Sequence, residues 1–164
     1  MIEEFCQWLY DTAFAETIRA SGYAFPWFES VHVLAIVLVL GSIVVVDLRL
    51  LGVASLGRPV KQLVGEVLPI TWVAFAIAVI TGAALFTSNA VEYIRNTPFQ
   101  MKMLLMLLAG LNMLVFHFVT YRSVAEWNEG ATPPAAARLA GGISIALWIA
   151  IVATIVLFAR IDKI

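Results

Sequence analysis

Charge is scarce in this chain. Of 164 residues, 13% are charged and 62% are hydrophobic, against about 25% and about 45–50% in ordinary soluble domains. A water-soluble fold of this length could not hide so much apolar surface, so the surrounding medium is lipid. A basic excess is missing too: ten Lys and Arg stand against eleven Asp and Glu, which excludes a surface for nucleic acid. Cysteine is reduced to Cys6, which cannot form an internal disulfide. Also missing are a P-loop, a dinucleotide glycine motif, Cys-x-x-Cys, His-Glu-x-x-His and any Ser/His/Asp set at one depth. Hydrolase and nucleotide chemistry drop out with them.

What the sequence does have is long runs without charge. Residues 30–46, 67–91, 103–121 and 139–159 carry no Asp, Glu, Lys or Arg, and a helix needs about 20 mainly apolar residues to cross a bilayer core of about 30 Å. The pattern predicts an all-α, polytopic membrane protein: a four-transmembrane-helix bundle in a single domain, with spans near 26–51, 66–88, 98–121 and 135–160. Barrel strands would alternate polar and apolar residues instead. Asn96-Thr97-Pro98 reads as the start of the third span, with Thr97 as N-cap and Gln100 completing a capping box. Thr132-Pro133-Pro134 starts the fourth in the same way. Trp27, Trp72, Tyr93 and Tyr121 fall near span ends, where amphipathic rings favour the headgroups. Gly41, Gly82, Gly110, Gly141 and Gly142 offer small surfaces for close helix approach.

Residues 1–20 read differently. Glu3, Glu4, Gln7 and Asp11 fall on one side of a helix, and Ile2, Phe5, Cys6, Leu9 and Ala13 on the other. This predicts an N-terminal amphipathic helix lying in the membrane interface. Glu3-Glu4 stands where a signal peptide would be basic, so the segment is expected to be retained. Four crossings put both termini on one side, with Arg19, Arg95, Lys102, Arg160 and Lys163, and leave Arg49, Arg58, Lys61, Arg122 and Arg138 on the other. The tally is even. The flanks of the first helix favour termini outside, periplasmic in a bacterial inner membrane, with the loop over 52–65 in the cytoplasm.

Ionisable side chains inside a span cost about 2.5–3.5 kcal/mol on insertion scales and are functional candidates by default. Here they are Glu29, His32, Asp47, Arg49, Glu66, Lys102 and His117, joined by the polar Asn112. Glu29 and His32 are three apart and so adjacent on one helix face, the spacing at which a carboxylate and an imidazole share a metal. Spans one and three run in the same direction, so depth decides which residues meet. At about 1.5 Å per residue, His32 lies about 9 Å into its span and His117 about 28 Å into its own. The two histidines therefore sit in opposite leaflets and cannot share one iron within a protomer. Level with Glu29 and His32 are Met101, Lys102, Met103 and Met106. Thioether with imidazole suits Cu(I), and a His/Met pair is an axial set for haem iron. Level with His117 are Asp47 and Arg49, where a carboxylate would fix the imidazole tautomer. The bland readings stand beside these. Glu29 with Lys102 is an ion pair, Asp47 and Arg49 are anchors at the membrane edge, the methionines are packing, and Asn112 is an interhelical hydrogen bond.

The run from Tyr23 to Leu34 with Glu29-x-x-His32, the segment Asp47-Leu48-Arg49, and Asn96-Thr97-Pro98-Phe99-Gln100-Met101-Lys102 through Asn112 to His117 resemble a group of small bacterial four-helix inner-membrane proteins of uncharacterised function. More distantly, the layout is similar to copper-resistance D (CopD) domains and to four-helix haem b cytochromes. The cytochrome resemblance implies haem b between helices, electron exchange with quinone or another redox partner, and His32 and His117 as axial ligands. Two histidines are present where a two-haem, bis-histidine protein needs four, so each haem would take a different second ligand, such as Met106, leave a position open, or borrow a histidine from a second copy in a homo-oligomer. The copper resemblance implies His32 with Met103 or Met106, and Glu29 beside them. The expectation is a membrane protein binding haem b or a transition metal in electron transfer. The alternatives are copper handling, or a structural or assembly subunit without cofactor.

Overall fold

Inside a bilayer the backbone has no water to bond, so a crossing segment closes its hydrogen bonds within itself. The computed structural model describes residues 1–129 and 132–161, with side chains as far as Thr154, and contains no strand among them. Two short helices, α1 (Ile2–Tyr10) and α2 (Ala13–Ala20), precede the long ones. The crossings are α3 (Ala24–Leu50), α4 (Val60–Ser88), a third helix that begins after the short α5 (Ala90–Arg95) as α6 (Thr97–Val115), and a fourth described below. The third continues through a π-helical turn, Phe116–Thr120, a 3-10 turn, Tyr121–Ser123, and α7 (Val124–Trp127). The fourth is α8 (Ala135–Ile161). All four are long and apolar enough to span a membrane. The protein is thus an all-α, multi-pass membrane protein.

Several boundaries differ from the sequence expectation, each for a local reason. The single interfacial helix is broken in two because the Thr12 hydroxyl accepts from Ala15 N and starts a new helix. The second crossing begins at Val60 rather than 66: Asn128, far along the chain, accepts from Val60 N through its carbonyl and from Lys61 N through its side chain, capping turns that lie among charged residues. The third helix is capped by Asn96, whose side chain accepts from Phe99 N at 3.0 Å, while Gln100 turns back to the Ile94 carbonyl. Thr97 is inside the helix. Arg160 lacks a described side chain and Lys163 lies outside the described residues.

The crossings pack unequally. α3 lies mainly on α4, α6 lies on α8, and α3 meets α8 as the link between the two pairs. Two side-chain hydrogen bonds set the register of α3 on α4: His32 with Thr81 at 3.0 Å and Thr71 with Ser42 at 2.8 Å. Ten residues forward on α3 match ten backward on α4, as an antiparallel pair requires. Ala35, Val39, Ala74 and Thr81 are buried along the seam, and these small side chains let the backbones approach. At the far end Leu50, Val60, Val124, Trp127 and Ala137 form the main core. α3 stops there in a Schellman motif: Val53 N reaches Leu48 O, Gly52 N reaches Arg49 O, and Gly52 takes a φ of 75° that favours glycine.

At the opposite end Arg19 of α2 donates to Ser88 O, the last carbonyl of α4, and lies 3.8 Å over the Tyr10 ring. Glu3 pairs with Arg95, tying α1 to α5. Ile2, Phe5 and Trp8 stay exposed on α1, the apolar edge of a helix lying in an interface.

Cysteines placed at positions 57 and 132 should react with a membrane-impermeant reagent from one side, and those at 21 and 89 from the other. Reaction of 57 and 89 from the same side overturns the four-span topology.

Candidate functional site

The α3 residues that meet α4 follow a four-three spacing through His32, Ala35, Val39 and Ser42, so His32 belongs to the helix seam rather than to the lipid face. It is half-buried. Gly82 makes the space: a Cβ at that position would stand 2.8 Å from His32 Cε1, so any side chain there would displace the ring. The imidazole is also bonded in a way that selects its tautomer. The Thr81 hydroxyl donates to Ile77 O at 2.7 Å, which uses its one proton. Its oxygen is then an acceptor at 3.0 Å for Nδ1–H of His32. Nε2 then carries the lone pair, and no partner for it appears among the described residues.

Lys102 lies in the first turns of α6, which start at this end of the bundle. It lies on the partly covered stripe of α6 that continues through Leu105, Ala109, Asn112 and Phe116, and its ammonium stands 5.1 Å over the Phe99 ring. Phe99 stacks on Phe86 of α4 and on Tyr93, which brings the start of α6 to the His32 end of the α3–α4 pair.

The other expected neighbours are placed elsewhere. Glu29 is exposed and forms no ion pair with Lys102. Met101, Met103 and Met106 are exposed on α6, and α6 packs on α8 rather than on α3, so the thioethers do not join His32 within the protomer. No group of three or more His, Cys, Asp or Glu side chains converges among the described residues. Asn112 donates to Ala140 O at 3.0 Å and links α6 to α8.

His117 lies in the π-helical turn, exposed, with its ring stacked on Tyr121 at 5.6 Å. Its neighbours Phe116 and Tyr121 pack against the main core, at the opposite end of the bundle from Thr81. Asp47 and Arg49 are near that end but are not turned to His117. Asp47 is 5% exposed, faces Ser144 of α8, and leaves Oδ2 without a hydrogen-bond partner. The close approach there depends on Gly141, where a Cβ would be 3.1 Å from Asp47 O. Arg49, fully buried, donates Nε to Arg58 O and fastens the connection between α3 and α4.

Sequence reasoning missed Thr81, and it singled out Gly82 for close helix approach without placing it against His32. Both are neutral, whereas the cost of membrane burial singles out charged and ionisable groups. The signal that points to them is the ten-residue interval between Thr71 and Thr81, which repeats the interval between His32 and Ser42 on the preceding span.

Nitrogen NMR of protein labelled at histidine should report His32 as the Nδ1–H tautomer, and Thr81→Val should move it toward Nε2–H. An Nε2–H signal in the parent protein would overturn this tautomer assignment.

No curated protein and no solved structure matches the chain. A family model does match, over residues 5–159, and so takes in the interfacial helices, all four crossings and the His32 seam. The chain belongs to DUF6644, a family of unknown function.

Proposed function

We propose that this is a multi-pass protein of the bacterial inner membrane, with periplasmic termini, that holds haem b through His32 and works in electron transfer. One observation carries the reading: the imidazole is pinned by Thr81 as the Nδ1–H tautomer and leaves the Nε2 lone pair unengaged. That is the state in which imidazole ligates a metal, with the second nitrogen fixed by an outer hydrogen bond. The residues present therefore fit an axial ligand set of one histidine. Haem would supply one-electron chemistry at a potential tuned by its ligand, hydrogen bonds and burial. His32 would provide the ligand, Thr81 would hold its ring against Gly82, and Lys102 would offer its ammonium to an acidic edge of the group.

Lys102 also separates haem from the competing reading of copper handling. A bare Cu(I) beside an ammonium gains repulsion, whereas a porphyrin with carboxylates gains a counter-charge. His32–thioether ligation would in addition draw Met103 or Met106 from a second copy, since both are exposed on their own helix. His117, at the other end, would serve a separate site or none. A quinone or a protein redox partner completes the expected exchange.

The test is spectroscopic. Protein purified in mild detergent should show reduced-minus-oxidised cytochrome bands, and His32→Ala should abolish them while the protein still inserts. Gly82→Val should also lose them, by moving the ring. His117→Ala should leave the His32 bands unchanged. A colourless protein with stoichiometric copper would replace haem by copper, and the absence of both would leave a structural or assembly subunit. Loss of one sole cofactor in either histidine mutant, with folding intact, would overturn the separation of the two sites.

A further inference from the structure

At the His32 end, α1, α5 and the end of α4 enclose an open cavity of about 550 Å³, within the range of small-molecule sites. Its wall includes Gln7, Tyr10, Asn89, Glu92, Arg95 and Asn96. We propose that this cavity binds the zwitterionic headgroup of a lipid that carries a primary amine next to its phosphate, as in phosphatidylethanolamine.

The charges on the wall favour an amine and an anion together. Glu92 is exposed and has no ion pair or side-chain hydrogen bond among the described residues, so its carboxylate is available to an ammonium. Arg95, three residues on, is engaged among the described residues only with Glu3, in a pair whose two side chains are 65% and 66% exposed. Such a pair contributes little and can yield guanidinium N–H groups to a phosphate. Residues three apart on a helix have Cβ atoms about 5–6 Å apart, a span that a short two-carbon tether between amine and phosphate can bridge.

The uncharged side chains fall in with this. Asn96 spends its oxygen on Phe99 N, which leaves its NH₂ as a donor for phosphate. Gln7 spends its NH₂ on Asp11, which leaves its carbonyl as an acceptor for the ammonium.

Other headgroups fit less well. A quaternary ammonium has no N–H to donate and is held by aromatic faces, and the Tyr10 ring already carries Arg19 at 3.8 Å. An anionic headgroup without an amine would meet the Glu92 carboxylate unrelieved. The lipid source is favoured over a free zwitterion by position. The cavity is bordered by α1, whose exposed Ile2, Phe5 and Trp8 mark the depth at which an amphipathic helix meets headgroups.

The full chain in nanodiscs of equal phosphatidylethanolamine, phosphatidylcholine and phosphatidylglycerol, extracted into detergent and analysed by mass spectrometry for retained lipid, tests the assignment. Retention should favour phosphatidylethanolamine by about threefold, the size of one exposed charge contact. Glu92→Gln should erase the preference, and Glu126→Gln, exposed at the far end of the molecule, should keep it. Equal retention of the three lipids, or a preference unchanged by Glu92→Gln, overturns the proposal. So does displacement of the lipid by water-soluble glycerophosphoethanolamine at equal concentration, which would make the ligand a free zwitterion.

Discussion

The seat of α3 on α4 governs what the rest of the molecule can do. Lipid tails are as apolar as Leu, so no hydrophobic force drives one crossing helix onto another; close contact and hydrogen bonds must do it. Ala35 and Val39 on one side and Ala74 and Thr81 on the other permit the approach. Hydroxyl chains then fix the register: Ser42 donates to Val39 O and accepts from Thr71, while Thr81 donates to Ile77 O and accepts from His32. In each case a hydroxyl whose proton satisfies its own helix presents an oxygen to the neighbouring one. A hydroxyl can therefore sit in the seam with its proton satisfied, and for His32 the same bond decides which ring nitrogen carries the proton.

The two ends of the bundle are built on different principles. At the end of α3, the turn after Leu51, the buried Arg49 on Arg58 O, the Asn128 cap of α4 and the Trp127 core lock connections that the bilayer does not hold. The other end is closed by the short helices themselves: Cys6, Ala15, Ile18 and Ala90 are buried there, and Arg19 on Ser88 O and Glu3 with Arg95 add polar ties. The exposed Glu3–Arg95 pair contributes only about 0–1 kcal/mol, so the apolar contacts carry most of this closure. This end also carries the imidazole, Lys102 and the cavity beside α5.

Four crossings were legible because an uncharged run of membrane length fits almost nothing but a helix that spans the bilayer. Their edges were not, because the determining contacts come from distant residues: Asn128 caps Val60 across the bundle, and nothing near Val60 announces it. The π-helical turn at Phe116–Thr120 has no sequence signature either. The site was half legible. His32 stood out as an ionisable group inside a span, and depth arithmetic separated it from His117, whose ring the structure places at the opposite end beside Tyr121. The same arithmetic chose the wrong neighbour. It compared spans that run in parallel, whereas the tightest partner of a helix here is the antiparallel one joined to it by a short connection, so His32 met Thr81 and Gly82 rather than the methionines.

His32 and Lys102, two ionisable groups near the α5 end of the crossings, are held in different ways. The imidazole is held in the closest seam, against a glycine and a hydroxyl whose geometry tolerates no side chain more. The ammonium of Lys102 is carried by a helix with no fully buried residue along Thr97–Val115. A charge in a span is costly unless it finds water, a counter-charge or an aromatic face, and Phe99 at 5.1 Å meets that need only in part. The seam thus holds its imidazole by close contact and a hydroxyl, while the ammonium rests on an aromatic face of a helix whose side chains all stay at least partly exposed.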